Sequence, residues 1–458
     1  MTIPGACRSM YQILILIIMV GTPLAAAAAE RPLSLKEALS IAMTGNPQIR
    51  ALGQSMLAER ENIGIARSYL LPKIIAEERF MRTNNPAYAF SIKMNQKRFS
   101  GADLAGAPDT FNRPDPISDF QSSLSLEQAL FAPKAVIGVD MAKKEVAARE
   151  RDFGRKQEEV VLSVFKTFIG VQTAKAFVQA AEMAIADAQA HLRVAELRYQ
   201  EGLGIYSDVL RAKVAVSTAA ERRVSAKKDL ETAKRALGLM LGLTESIDVI
   251  PEKHEVSVRE IEYYYAALAS RKDLAAMEQR AKNAENQLRM AKAGYLPVVG
   301  IGGSVQSNDH KQPLGAEGDS WQVMAFLRWE LFDGTKREHE RNKARYKITE
   351  TEEYLSGMKK EIAFQVYESY LGVGEARDGQ ELARAALESA EEGMRILNVR
   401  YENSLASMME LIDMQTSLDA SRAGTVAKDG AYLVAVANLW FQSGTIFKEL
   451  GIERDGGI

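Results

Sequence analysis

The chain contains an approximate copy of itself, and the offset between the two copies changes at one place. Ala66, Leu71 and Pro72 return as Ala291, Leu296 and Pro297, an offset of 225. Leu130-Phe131 returns as Leu331-Phe332 at an offset of 201. From there the offset holds at 202: Val164-Phe165 through Gly170-Val171 returns as Val366-Tyr367 through Gly372-Val373, and Arg198-Tyr199 as Arg400-Tyr401. So long a period means two copies of one large structural unit, not a short-period solenoid. The first copy carries about 24 extra residues, all between Pro72 and Leu130.

Proline is absent from 134–250 and from 314–458, spans of 117 and 145 residues made largely of good helix formers. Apolar residues recur at helical spacing, as in Val161, Val164, Phe165, Phe168, Ile169 and Val171. Glycine breaks the first span at Gly202 and Gly204, and Asn403-Ser404 stands at the matching place in the second. The pattern predicts helices over 133–200 and 207–241, repeated over 335–402 and 407–442. At 1.5 Å per residue the 68-residue helix is roughly 100 Å long. Such a helix buries an apolar stripe only within a coiled coil or a barrel of neighbours. Further helices are expected over 34–70, interrupted at Gly45-Asn46-Pro47, and over 258–293, ended by Pro72 and Pro297.

Between these blocks the residues alternate with period two. Trp321, Val323, Ala325, Leu327, Trp329 and Leu331 share one face, and Gln322, Met324, Phe326, Arg328 and Glu330 the other. In a partner segment Phe120, Leu124 and Leu126 oppose Gln121, Ser123, Ser125 and Glu127, and weaker alternation runs over 73–82 and 298–307. Two hairpins of about ten-residue strands result, apolar on one side and polar on the other. A lipid-facing β-barrel has this pattern, and so does a half-buried soluble sheet. Trp321 and Trp329 stand about 26 Å apart along a strand, close to the spacing of aromatic girdles. Four strands cannot close a barrel, and hydrocarbon tolerates no open sheet edge. The membrane reading therefore requires several protomers, and three give twelve strands. The extra residues of the first copy fall at 84–118, rich in Asn, Pro, Gly and Asp, where an exposed loop is expected.

The N-terminus reads as a secretory signal peptide over 1–29: Arg8, an apolar run from Tyr11 to Val20, and an alanine tract. The one cysteine, Cys7, precedes the apolar run, so the mature chain would be cysteine-free, without disulfides, thiolate metal sites or a thiol nucleophile. A net charge of −2 gives nucleic acid no purchase. No other apolar stretch approaches the roughly 20 residues of a membrane-spanning helix. The expected organisation is a first repeat over 30–241, with β-hairpin 73–131 and helical hairpin 133–241. A linker over 242–270 follows, then a second repeat over 271–445, with β-hairpin 298–332 and helical hairpin 335–442, and a tail over 446–458.

In this order, several short motifs make the chain resemble the TolC-like outer-membrane efflux protein family. They are Leu33-Ser34-Leu35-Lys36-Glu37-Ala38-Leu39 with Asn46-Pro47, Tyr69-Leu70-Leu71-Pro72 with Gly294-Tyr295-Leu296-Pro297, and Leu331-Phe332-Asp333-Gly334. The most specific is Arg198-Tyr199-Gln200-Glu201-Gly202-Leu203, followed by Tyr206-Ser207-Asp208-Val209-Leu210. The resemblance implies a homotrimer, mainly α with a small membrane β-barrel of twelve strands, and a long α-helical barrel across the periplasm. It further implies an equatorial belt from residues near 30–45, 244–270 and the C-terminus. The implied partners are outer-membrane lipid, a periplasmic adaptor protein and an inner-membrane pump of RND or ABC type, in a Gram-negative bacterium.

By the same resemblance the helix-turn-helix tips carry adaptor docking, through Arg198, Gly202, Leu203, Ser404 and Leu405. The second tip departs from the family pattern at Asn403-Ser404. Asp208 and Glu410 are repeat equivalents, and Glu410 and Asp413 lie three residues apart on one helix face. In a trimer these acids would form carboxylate rings that gate and select cations; the alternative is acids collected by a helix N-terminus. Trp321, Val323, Leu327 and Trp329 are the candidate lipid-facing residues. The histidines, His191, His254, His310 and His339, show no ligand spacing, Gly300-Ile301-Gly302-Gly303 has no following helix, and no catalytic constellation is present. The chain thus reads as a passive export channel, with no enzyme activity and no cofactor. The competing reading is a soluble periplasmic coiled-coil scaffold or adaptor.

Overall fold

The computed structural model describes residues 32–105, 108–252 and 256–452; the expected signal peptide, Cys7 and His254 lie outside them. Two short helices lead in, α1 (Leu35–Gly45) and α2 (Pro47–Ser68), followed by strand β1 (Lys73–Thr83). An insert of three helices, α3 (Pro86–Asn95), α4 (Gly101–Ala105) and α5 (Asp109–Asn112), precedes β2 (Ile117–Phe131). The first long hairpin is α6 (Pro133–Gln200) with α7 (Tyr206–Leu241). After α8 (Ile261–Ala267) and α9 (Lys272–Ala293), β3 (Val298–Asp309) and β4 (Gly318–Arg328) form the second β-hairpin. The second long hairpin, α10 (Lys336–Glu402) and α11 (Met408–Ser443), and a last turn α12 (Ile446–Glu449) complete the chain.

The helix expected over 133–200 is present to the residue, with Pro133 in its first turn, where the missing N–H costs nothing. Ser407, expected inside α11, is its N-cap: its hydroxyl accepts from the Glu410 backbone N–H at 3.2 Å, and the Glu410 carboxylate accepts from the Ser407 N–H at 2.7 Å. Gly242 closes α7 with φ 79°, and a Cβ there would stand 2.2 Å from the Gly45 carbonyl oxygen, so only glycine fits.

The four strands form one antiparallel sheet in the order β1-β2-β3-β4. Its register aligns Ile74, Leu126, Gly303 and Val323 in one row, and Ala76, Leu124, Val305 and Trp321 in the next. The rows between, Ile75, Ser125, Ser304 and Gln322, then Glu77, Ser123, Gln306 and Ser320, point to the opposite face. One face of the sheet is therefore apolar and the other largely polar. β4 ends at Arg328, so Trp329 lies just past the strand that was expected to carry it; its indole N–H donates to the Tyr295 carbonyl at 3.1 Å. Where an exposed loop was expected over 84–118, the described residues form the three helices α3, α4 and α5. α3 buries Ala89 and Ile92, with its C-cap Gln96 buried beside them, and tertiary packing lets so short a helix persist.

The main core lies midway along the long hairpins. Val161, Val164, Phe165, Phe168 and Val171 of α6 meet Leu35 and Leu39 of α1, Leu241 of α7, Val249, Tyr264, and Val436, Leu439 and Trp440 of α11. Leu33 joins this belt through a parallel bridge to Val249. α6 does hold an 18-residue window apolar enough to cross a membrane, with mean hydropathy 1.3, contrary to the expectation that none would. That window lies in the helix that builds this core, and 44% of it is buried in protein. The ends of α9 and α11 are locked by two cations: Arg155 donates to the Phe441 carbonyl at 2.8 Å and Arg271 to that of Gln442 at 2.6 Å.

Candidate functional site

The two helical turns farthest from the sheet lie side by side, and Arg198 fastens one to the other. Its guanidinium donates to the Tyr401 carbonyl at 2.7 Å, to that of Glu402 at 3.3 Å, and to the Ser404 hydroxyl at 2.8 Å, and lies 4.9 Å from the centre of the Tyr401 ring. The departure at Ser404 thereby acquires a reason. Gly202 turns with φ 74°, and Ser404 does so with φ 62°, a conformation costing an L-residue roughly 1–2 kcal/mol. The serine hydroxyl is what Arg198 holds, and a charged hydrogen bond of that kind contributes about 1.5–3 kcal/mol, less where water competes.

The repeat-equivalent cation, Arg400, has no such acceptor across the turns among the described residues and donates to the Leu405 carbonyl at 3.1 Å. The surroundings differ in the same sense. Tyr401 and Met408 are buried with Leu411 and Ala195, whereas their equivalents Tyr199 and Tyr206 are exposed and lie 5.4 Å apart, ring to ring. Leu203 and Leu405 project from the ends of the turns, 65% and 67% exposed.

The three candidate gate acids have different circumstances. Glu410 closes the capping box of α11, and the Ser407 backbone N–H, with help from its hydroxyl, holds the carboxyl below its ordinary range. Asp208 lies 3.7 Å from Arg211. Asp413 is exposed and has no ion-pair partner among the described residues. The Glu410 side chain is thus engaged at the helix end, and Asp413 presents an exposed carboxylate on the same helix.

Because its folded pKa is depressed, Glu410 stabilises the start of α11 above its ordinary carboxylate range, near 4.3, and this contribution is lost as pH falls through the folded value. Amide protection at Leu411 is expected to drop in acid in the native chain. In Glu410→Gln, whose amide oxygen can still accept from Ser407 but does not titrate, it should be pH-independent once intrinsic exchange is subtracted. Equal pH profiles in the two chains would refute the role.

At the other end of the molecule Trp321, Val323 and Leu327 are 77%, 76% and 64% exposed on the apolar face of β4. In the β3–β4 turn, Asp309, His310 and Glu317 bring ligand atoms within 4.8 Å of one another, a grouping that sequence spacing did not reveal. Each of them is engaged in closing the turn: Asp309 accepts the backbone N–H groups of Lys311 and Gln312, and Glu317 accepts from His310.

Comparison with known proteins agrees with this geometry. The outer membrane efflux protein family matches residues 38–243 and 263–445. The alkaline protease secretion protein AprF of Pseudomonas aeruginosa is 20% identical over 429 residues, 90% of this chain and 85% of that protein. The outer membrane protein TolC of Vibrio cholerae is 21% identical over 445 residues, 93% of this chain and 94% of that one. Among solved structures, the outer membrane protein VceC of Vibrio cholerae has a TM-score of 0.72 at 17% identity, over 90% of this chain and 96% of that chain. The likeness shows the same fold of helical and β-barrels. With its long duplicated hairpins and its two-faced sheet, the chain belongs to the outer membrane efflux protein family, whose place is the outer membrane with the helices reaching into the periplasm.

Proposed function

We propose that this chain is the outer-membrane channel of a tripartite efflux or type I secretion system, a homotrimer that passively conducts cargo delivered by an inner-membrane pump of RND or ABC type and its periplasmic adaptor. The sheet carries the reading. Its apolar face is exposed, its opposite face is polar, and β1 and β4 are edges without strand partners among the described residues. In hydrocarbon every backbone group must be paired, so β4 of one protomer pairs with β1 of the next until twelve strands close. A second observation supports the trimer: the covered pair Tyr401 and Met408 against the open pair Tyr199 and Tyr206 is what a ring of six quasi-equivalent hairpins leaves when one protomer stands alone. The outer helices α7 and α10 also expose large apolar residues, among them Val214, Val224, Tyr354 and Leu382.

The tip is the gate and the docking surface. Gly202, Leu203 and Leu405 meet the adaptor, while Arg198 and Ser404 hold the turns closed, and Asp413 supplies the carboxylate ring, with Asp208 and Glu410 behind it. Energy comes from the pump, and the channel catalyses nothing. Membrane fractionation tests the placement: the protein should be released only by detergent, and recovery in the soluble periplasm would favour the scaffold or adaptor reading instead. Arg198→Ala is expected to raise the unitary current several-fold by freeing the two turns, and an unchanged current would remove Arg198 from the gate. Asp413→Asn is expected to weaken cation selectivity; unchanged selectivity would reject the ring.

A further inference from the structure

The helical insert between β1 and β2 is not accounted for by conduction, docking or gating at the tip, and its position is informative. The residues that receive it, Asp119, Asn308 and Gly318, all belong to the polar face: they alternate in phase with Gln121, Gln306 and Ser320. Gln96, just past α3, is 1% exposed and donates to the Ser118 carbonyl at 2.8 Å and to Asp119 at 2.9 Å. Asp119 in turn accepts from Asn308 at 2.7 Å. A Cβ on Gly318 would stand 1.8 Å from the Asn95 carbonyl oxygen, so the end of α3 rests directly on β4. Lys97, just beyond, pairs with Asp319, a residue at the start of that strand that alternates onto the apolar face.

The insert therefore leaves β1 at Thr83, crosses the polar face to reach β4, and returns to β2. The lengths agree. Ten helical residues span about 15 Å, and four adjacent strands span about 14 Å. α3 lies across one protomer's whole width of sheet, at its outer end.

We propose that this insert is a specificity-determining collar: three copies of α3, seated inside the barrel wall, form a second constriction at the outer mouth of the channel. The proposal rests on the channel reading, because only there is the polar face the lumen. Ala89 and Ile92 of α3 are buried on the side of Gln96, which is bonded to the sheet, and Tyr88, Ser91 and Met94 are exposed, Tyr88 and Met94 at 59% and 51%. The one charged residue of α3, Lys93, is paired with Asp103, and Arg98 donates to the Gln96 side-chain amide oxygen Oε1 at 3.2 Å. The free face of α3 carries no charged side chain, so the constriction it forms sorts cargo by width rather than by charge, whereas the carboxylates at the far end act on charge.

The test is side-specific labelling of single cysteines in a Cys7→Ser background, which removes the only cysteine. Gln322→Cys lies on the polar face about 13 Å below Gly318, and Val323→Cys on the apolar face beside it. Intact cells are treated with a polyethylene-glycol maleimide too large for general porins. Three forms are compared: the parent, a form with 86–113 replaced by a short turn, and the full-length double variant Ile92→Ser with Gln96→Ala, which unseats α3 without removing it. The collar predicts that Gln322→Cys labels slowly in the parent and about tenfold faster in either altered form, the factor that ~1.4 kcal/mol of entry barrier represents. Equal rates in all three would overturn the collar. The channel reading fails separately, if Val323→Cys labels as readily as Gln322→Cys in the form lacking 86–113.

Discussion

Replacing Phe168 by alanine is expected to be the most damaging single truncation in the chain, costing about 3–5 kcal/mol. Phe168 is 0% exposed at the centre of the core, where α6 meets α1, Tyr264 and α11. Its repeat equivalent, Tyr370, is only partly buried and packs at the edge of the same cluster, 6.4 Å from the Tyr264 ring centre. The two copies thus carry an aromatic at the same place with unequal burial, and Tyr370→Ala is expected to cost clearly less. Thermal unfolding of the purified trimer in detergent measures both. Equal losses would mean that the core is shared evenly by the two repeats, contrary to the packing described here.

Arginine at Val323 is the second large effect. If, as proposed, the apolar face meets lipid with Val323 near mid-depth, the substitution should cost ~2–4 kcal/mol, while Gln322→Arg on the polar face should cost almost nothing. Two neighbouring positions on one strand then differ by a factor of roughly 30 to 1,000 in folding equilibrium, since 1.4 kcal/mol is tenfold. Trimer yield in the outer membrane reads the difference. If both variants assemble equally well, the sheet lies in water on both sides and the soluble-scaffold reading gains. Trp321→Arg, beside the charged and hydroxylated row of Glu78, Ser122, Ser307 and Asp319, should fall nearer to zero, because that row marks where the hydrocarbon ends.

What could be read from the sequence follows from how local each signal is. The long helices announce themselves because proline is missing for more than a hundred residues at a time, with Pro133 opening α6, the Ser407–Glu410 capping box opening α11, and left-handed glycines, Gly242 and Gly444, closing α7 and α11. The strands do so because a two-faced sheet needs strict alternation. The insert escaped because Asn, Pro, Gly and Asp mark loops as readily as the caps of short helices. Asn85 is such a cap, accepting from the Ala87 backbone N–H at 3.1 Å, and what keeps α3 helical is a sheet 20 to 230 residues away in the chain.

The tip was legible as a place and not as a mechanism. Asn403-Ser404 stood out against Gly202 by comparison of the copies, but the bond from Arg198 to Ser404 spans 206 residues and needs the fold. The acids divide in the same way. Ser407 and Glu410 three apart form a capping box that a sequence can show, and the capping alternative describes Glu410. That Asp413 stays without an ion-pair partner depends on where α6 and α7 lie.

Conductance of the purified trimer in a planar lipid bilayer is the most direct measurement of whether this chain is a channel. Discrete unitary steps with cation preference are expected, larger in Arg198→Ala and less selective in Asp413→Asn. A protein that stays soluble without detergent and gives no steps in either form would contradict the central claim.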